Sequence, residues 1–138
     1  MTYEKSCGGI IYTEEDGVRR YLIIESIGGA YGFPKGHMEG NETEVETALR
    51  EIWEEVGIRP TLIEDFKLTD EYPLPGKEGV GKQITYFVGT YADQEIIPLE
   101  SELVNATLMT YEEAMNVFQF ESSKRLLEEA ERFLESKK

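Results

Sequence analysis

The apolar positions of this chain fall into short extended runs at either side of one strong helical stripe. Residues 7–12 and 19–25 read as short buried strands, and Glu14-Glu15-Asp16-Gly17 between them supplies a turn, so a hairpin is expected. Residues 28–35, glycine-rich but holding Tyr31, Phe33 and Pro34, read as a loop with a short extended segment. Residues 60–72 look extended, 73–81 are too rich in Pro and Gly for an element, and 82–91 and 103–109 predict two more strands.

The helices announce themselves by their starts. Thr43 and Glu46 form a T-x-x-E capping box, and Val45, Ala48, Leu49, Ile52 and Val56 trace a core-facing stripe that stops at Gly57. Thr110 with Glu113 opens a second, short helix through about Val117. A third runs from Ser122 to Leu134, with Leu126, Leu127, Ala130, Phe133 and Leu134 expected inside. Strands and helices interleaved in this way predict an α/β layered domain with a mixed β-sheet.

Composition narrows the class. A chain of 138 residues is expected to form one domain, residues 1–138, with enough core to need no staples. No apolar run is long enough to span a bilayer, and the N-terminus has no signal-peptide h-region. Cys7, alone, forms no internal disulfide and no cysteine cluster, which suits a reducing cytoplasm. Fourteen basic against 28 acidic residues give a net charge of −14, which argues against bulk nucleic-acid binding and a membrane surface. A phosphorylated substrate remains compatible if divalent cations stand between it and the protein.

The acid is concentrated where chemistry would use it. On the first helix Glu44, Glu51 and Glu55 share one edge, Glu54 lies one step round, and the spacing gives Glu51 no cationic partner along the helix. Most charged runs are solvated faces. Here, however, like charges at i, i+4 cost about 0.2–0.5 kcal/mol per pair, and Arg50 is the single base among them. Clustered carboxylates with one internal arginine are what a hard cation needs, with room left for phosphate oxygens. Mg²⁺, or Mn²⁺, is the expected ion.

At residues 36–58 the pattern G-x5-E-x7-R-E-U-x-E-E-x-G-U is met in full by Gly36, Glu42, Arg50, Glu51, Ile52, Glu54, Glu55, Gly57 and Ile58, U being a bulky aliphatic. The chain therefore resembles the Nudix hydrolases, which cleave nucleoside diphosphates linked to another moiety. The element order extends the resemblance over the whole chain and implies an α/β/α sandwich. It also implies that Glu51, Glu54 and Glu55 ligate metal, that the Gly36 carbonyl reaches the same ion, and that Arg50 with Glu42 orients the helix carboxylates.

Tyr31-Gly32-Phe33-Pro34-Lys35-Gly36-His37 is similar to the W-G-F-P-K-G-H run of asymmetric bis(5'-nucleosyl)-tetraphosphatases. Tyr31 stands where that run has Trp, and Gly40-Asn41 replaces Pro-Gly. By the same resemblance Tyr31, Lys35 and His37 would meet substrate, Lys82 the phosphate chain, and Tyr86 the nucleotide. Glu102 would be a further metal ligand or, like Glu51, the base that deprotonates water. Phe120 and Lys124 match too, although Phe118 and Phe120 read as core. Trp53 reads as packing, and one of Tyr86 and Phe87 as core. The implied reaction is metal-assisted, in-line hydrolysis of a phosphoanhydride, splitting diadenosine tetraphosphate into ATP and AMP. Alternatives are a 5'-RNA pyrophosphohydrolase, a nucleoside-triphosphate or ADP-ribose pyrophosphatase, and, in another class, a nucleotide-sensing domain without catalysis.

Overall fold

The computed structural model describes residues 2–137. Strands β1 (Thr2–Glu15) and β2 (Val18–Ser26) form the expected hairpin. Asp16 and Gly17 both take positive φ, 53° and 78°, as a two-residue type I′ turn demands. The two-residue β3 (Tyr31–Gly32) and β4 (Lys35–His37) follow, so Gly36 and His37 belong to a strand edge. Helix α1 (Glu44–Val56) precedes β5 (Thr61–Pro73), β6 (Val80–Thr90) and β7 (Leu103–Met109), and α2 (Tyr111–Val117) and α3 (Glu121–Glu135) close the order. The loop expected over 73–81 shrinks to 74–79, because β5 and β6 pair down to Pro73↔Gly81.

Among the described residues seven strands form one mixed sheet, ordered β3-β2-β1-β6-β5, with β4 on β1 and β7 on β2. Strand β1 is its spine. It runs parallel to β6 from Thr2↔Val80 to Tyr12↔Thr90, while its other edge is shared by β4 and β2. The remaining pairings are antiparallel.

Alternation along the strands sends neighbouring residues into opposite layers. Ile10, Ile23 and Val88 pack with Ala114, Phe118, Leu126, Leu127 and Ala130 of the α2–α3 side. Ile11, Leu22, Ile52 and Val56 pack on the α1 side, where Phe87 meets Cys7 and Ala48. The result is the α/β/α sandwich. Tyr86 and Phe87 are thus both buried, each in its own layer.

Both capping boxes form. Helix α1 ends at Gly57, whose N–H donates to the Trp53 carbonyl. Its stripe departs from the expected one, because Leu49 is 36% exposed while Thr47 and Glu55 are buried. The β4 backbone lies beside the Glu55 edge, where the Lys35 N–H donates to the Glu55 carboxylate. Phe133 is only partly buried and stacks on Phe66 at 3.8 Å, and Phe120 is 56% exposed where core was expected. Phe120 fails to reach the core because it is the N-cap residue of α3, at the open rim of the sandwich. At its far end α3 is tied to β2: Arg19 Nη1 lies 3.0 Å from both Glu131 and Glu135, and the Tyr21 hydroxyl donates to Glu131. No helix among the described residues is long and apolar enough to cross a membrane.

Candidate active site

Helix α1 turns its carboxylates toward β4, and the contact is close enough to dictate a residue. A Cβ on Gly36 would lie 1.9 Å from Glu51 Oε2, so only glycine lets the helix and the strand edge approach. The sequence spacing left Glu51 without a cation, but the structure corrects this. Arg50 Nη1 reaches Glu51 Oε1 at 2.7 Å and Glu54 Oε1 at 3.1 Å. The same guanidinium grips Glu42 through Nε (2.6 Å) and Nη2 (3.0 Å) and donates to the His37 carbonyl at 2.9 Å. A planar fork with five donors suits this task and a lysine does not.

Glu42 is the other half of the clamp. Besides Arg50 it accepts from the Glu39 N–H at 3.0 Å and the Thr47 hydroxyl at 2.8 Å. The Arg50 hydrogen bonds, with these others, hold its carboxyl at about 2, well below the usual range. Loop 38–43 is thereby fastened to the helix it precedes. Glu44, at the helix start, is drawn away by Lys67 (2.6 Å) and Thr85 (3.0 Å) and does not join Glu51 and Glu55.

Glu55 has the opposite environment. It is 8% exposed, and burial pushes its carboxyl up to about 7 against the Lys35 N–H that donates to Oε1 at 3.0 Å. The charges of Glu102 and Glu51 push the same way. Glu102 itself is exposed, on the turn whose Leu99 N–H donates to the Glu55 carbonyl at 2.8 Å. The donor set is oxygen alone, which fits a hard divalent cation. Among the described residues no three acidic, His or Cys side chains are already converged as ligands, since Glu51 and Glu54 each commit an oxygen to Arg50. His37, the sole histidine, lies 2.9 Å from Lys82 Nζ through Nε2 and is exposed.

A cleft of about 600 Å³ opens on the opposite face of the sheet, between β3, β5, β6 and the start of α3. Pairing explains which side chains reach it. Leu68, Asp70 and Tyr72 of β5 stand opposite Tyr86, Ile84 and Lys82 of β6 and so share a face. The predicted Tyr31, Lys35 and Tyr86 line the cleft, and Lys82 and His37 do not. Tyr86 is buried, which pushes its phenol far up. Lys82, partly desolvated and near Lys35, is pushed down. Lys35 joins the two halves, its N–H on Glu55 and its side chain in the cleft.

Sequence reasoning missed Asp70, Tyr72, Ser122 and Ser123 as cleft residues and put Phe120 in the core. The alternation Leu68-Asp70-Tyr72 was the available signal for the first two. For Phe120 it was the match with Lys124. Trp53 is largely exposed on the outer side of α1, with the Arg59 guanidinium 4.0 Å from its ring centroid.

Known proteins agree with this architecture. The NUDIX domain profile matches residues 3–130. The asymmetrical bis(5'-nucleosyl)-tetraphosphatase of Mus musculus is 30% identical over 142 residues, spanning 94% of this chain and 95% of the mouse protein. The RNA pyrophosphohydrolase of Halorhodospira halophila is 34% identical over 104 residues, spanning 67% of this chain and 56% of that protein. The crystal structure of a C. elegans Ap4A hydrolase binary complex superposes with a TM-score of 0.87 at 25% identity, covering 96% of this chain and 98% of that one. With the carboxylate-bearing helix, its arginine clamp and a profile match over nearly its whole length, the chain belongs to the Nudix family and is a Nudix pyrophosphohydrolase.

Proposed function

We propose that this chain hydrolyses dinucleoside polyphosphates asymmetrically, cutting diadenosine tetraphosphate to ATP and AMP. The observation that carries the reading is Lys35, which couples the buried Glu55 to a cleft walled by aromatic side chains. The mouse relative's name supports the substrate class. Glu51, Glu54 and Glu55 would hold Mg²⁺ or Mn²⁺, with Glu102 and the Gly36 carbonyl beside them. When bound, the ion neutralises the phosphate chain and lowers the pKa of a water.

The protein's own groups do the rest. Arg50 fixes the orientation of Glu51 and Glu54. Glu51 or Glu102 accepts the proton of the attacking water, and displacement in line at phosphorus expels the nucleotide. Tyr31, Tyr72 and Phe120 flank a base in the cleft, while Lys82 and His37, a short step away on the same face, receive the lengthening phosphate chain. Three-donor lysine meets successive phosphates without a fixed geometry.

Product chromatography with Mg²⁺ tests the reading across diadenosine tetraphosphate, dATP, ADP-ribose and triphosphorylated RNA. The expected outcome is ATP plus AMP, with the highest kcat/KM for the tetraphosphate and poor turnover with Ca²⁺, whose coordination is longer and looser. A tenfold or greater preference for ADP-ribose or an RNA 5' end overturns the substrate assignment and leaves the family intact.

A further inference from the structure

The cleft contains two charged groups that the proposed reaction does not use, Asp70 and Glu71. Asp70 lines it with its side chain 15% exposed. Its neighbour Glu71 is occupied by the Gln83 amide at 2.8 Å. Asp70 accepts no hydrogen bond among the described residues, and its ion pair is a long one, 3.8 Å to Arg125 Nη2. Arg125 is mainly engaged elsewhere, with Glu129 at 2.8 Å and the Thr69 carbonyl at 3.3 Å. A carboxylate with two acceptor oxygens and only this long ion pair, held against Ile84, Tyr72 and Tyr86, favours a ligand that brings N–H groups.

The same cleft has donors beside this carboxylate, on the helix whose Arg125 reaches it. Helix α3 begins at Phe120, which provides no side-chain cap for the first-turn N–H groups. Ser122 and Ser123, in that turn, line the cleft. A carboxylate acceptor with donors beside it matches the edge of a particular base. Guanine offers O6 as an acceptor and, next to it, N1–H and N2–H as donors. Adenine offers an N6 donor and an N1 lone pair, the lone pair facing a carboxylate that can only repel it.

We propose that Asp70 sets the base preference of the cleft by accepting the N1–H and N2–H of guanine, with O6 directed toward Ser122 and Ser123. This rests on the reading that the cleft holds one nucleoside of a dinucleotide. Adenine still enters by stacking, and guanine binds better.

The test measures binding of GMP, IMP and AMP to the full chain with Mg²⁺ by calorimetry, and kcat/KM for diguanosine and diadenosine tetraphosphates. The wild type is expected to bind GMP about tenfold tighter than AMP, as bidentate base contacts discriminate, with IMP between because it lacks the N2 amine. Asp70→Asn substitutes one donor and one acceptor, which suits the N1 and N6 of adenine, so the order of GMP and AMP should reverse. Asp70→Ala should flatten it. Equal binding of GMP and AMP by the wild type, or an Asn variant that weakens both by the same factor, overturns the proposal while turnover of both tetraphosphates keeps the dinucleotide reading. If no monophosphate binds and both tetraphosphates stay uncut, the two fall together.

Discussion

The two faces of the sheet are held by different means. On the α1 face the carboxylates share one anchor: Arg50 contacts Glu42, Glu51, Glu54 and the His37 carbonyl, and β4 packs closely against Glu51 at Gly36. On the cleft face Tyr31, Tyr72 and Phe120 stand on separate elements with open space between them. This difference suits the proposed roles: chemistry needs positions held to fractions of an ångström, while recognition of a stacked base tolerates adjustment. The same sheet provides both because the alternation of β-strands keeps the faces mechanically apart.

The largest effect should come from the crowded face. Glu55→Gln keeps the shape and removes the charge, so kcat is expected to fall about 10³-fold with the fold intact by circular dichroism, several kcal/mol of charge stabilisation being lost. Activity within threefold of wild type at saturating Mg²⁺ would remove Glu55 from the metal site.

The same residue links the face to stability. A carboxyl raised to about 7 in the folded chain and near 4.5 in the unfolded one binds more protons when folded. Its stabilising contribution is therefore complete below about pH 4.5 and lost as pH rises through 7, on the order of 3 kcal/mol. In chelator-treated protein, urea midpoints followed over that window should decline more for wild type than for Glu55→Gln. Parallel curves would show that Glu55 is not desolvated.

Next in size is Arg50→Lys, which keeps the charge but loses the fork. Metal affinity or kcat should drop about 10–100-fold, the usual cost of losing an orienting partner. Titration of activity with Mg²⁺ checks this. Smallest is the cleft face. Phe120→Ala should raise KM for the tetraphosphate about tenfold through lost stacking and leave kcat within twofold. A change in kcat as large as that in KM would mean the faces are not separate.

The division also explains what the sequence disclosed. Residues 36–58 hold the glycine, the arginine clamp and the clustered carboxylates in one stretch, so helix, cap and family were legible from spacing. Arg50 was visible, but its grip on Glu51 was not, because i, i+1 side chains ordinarily diverge on a helix and meet here only through the reach of the guanidinium. The cleft is assembled from β3, β5, β6 and α3, whose approach depends on the parallel pairing of β1 with β6, 78 residues apart in Thr2↔Val80 and Tyr12↔Thr90. No local pattern encodes that pairing. Phe120 was misread for the same reason: an aromatic two residues after Phe118 has nothing local to say that one is core and the other rim.

Lys35 is the single predicted substrate residue with an atom on each side of this division. On the proposed assignments, exchanges at 70 and 72 on β5 and at 120 before α3 would alter the base accepted without touching Arg50 or the helix carboxylates. Substitution at position 35 itself keeps its backbone N–H, so the restraint on Glu55 survives even there. On that reading, a change of substrate under an unchanged reaction would follow from where a backbone amide and its own side chain happen to point.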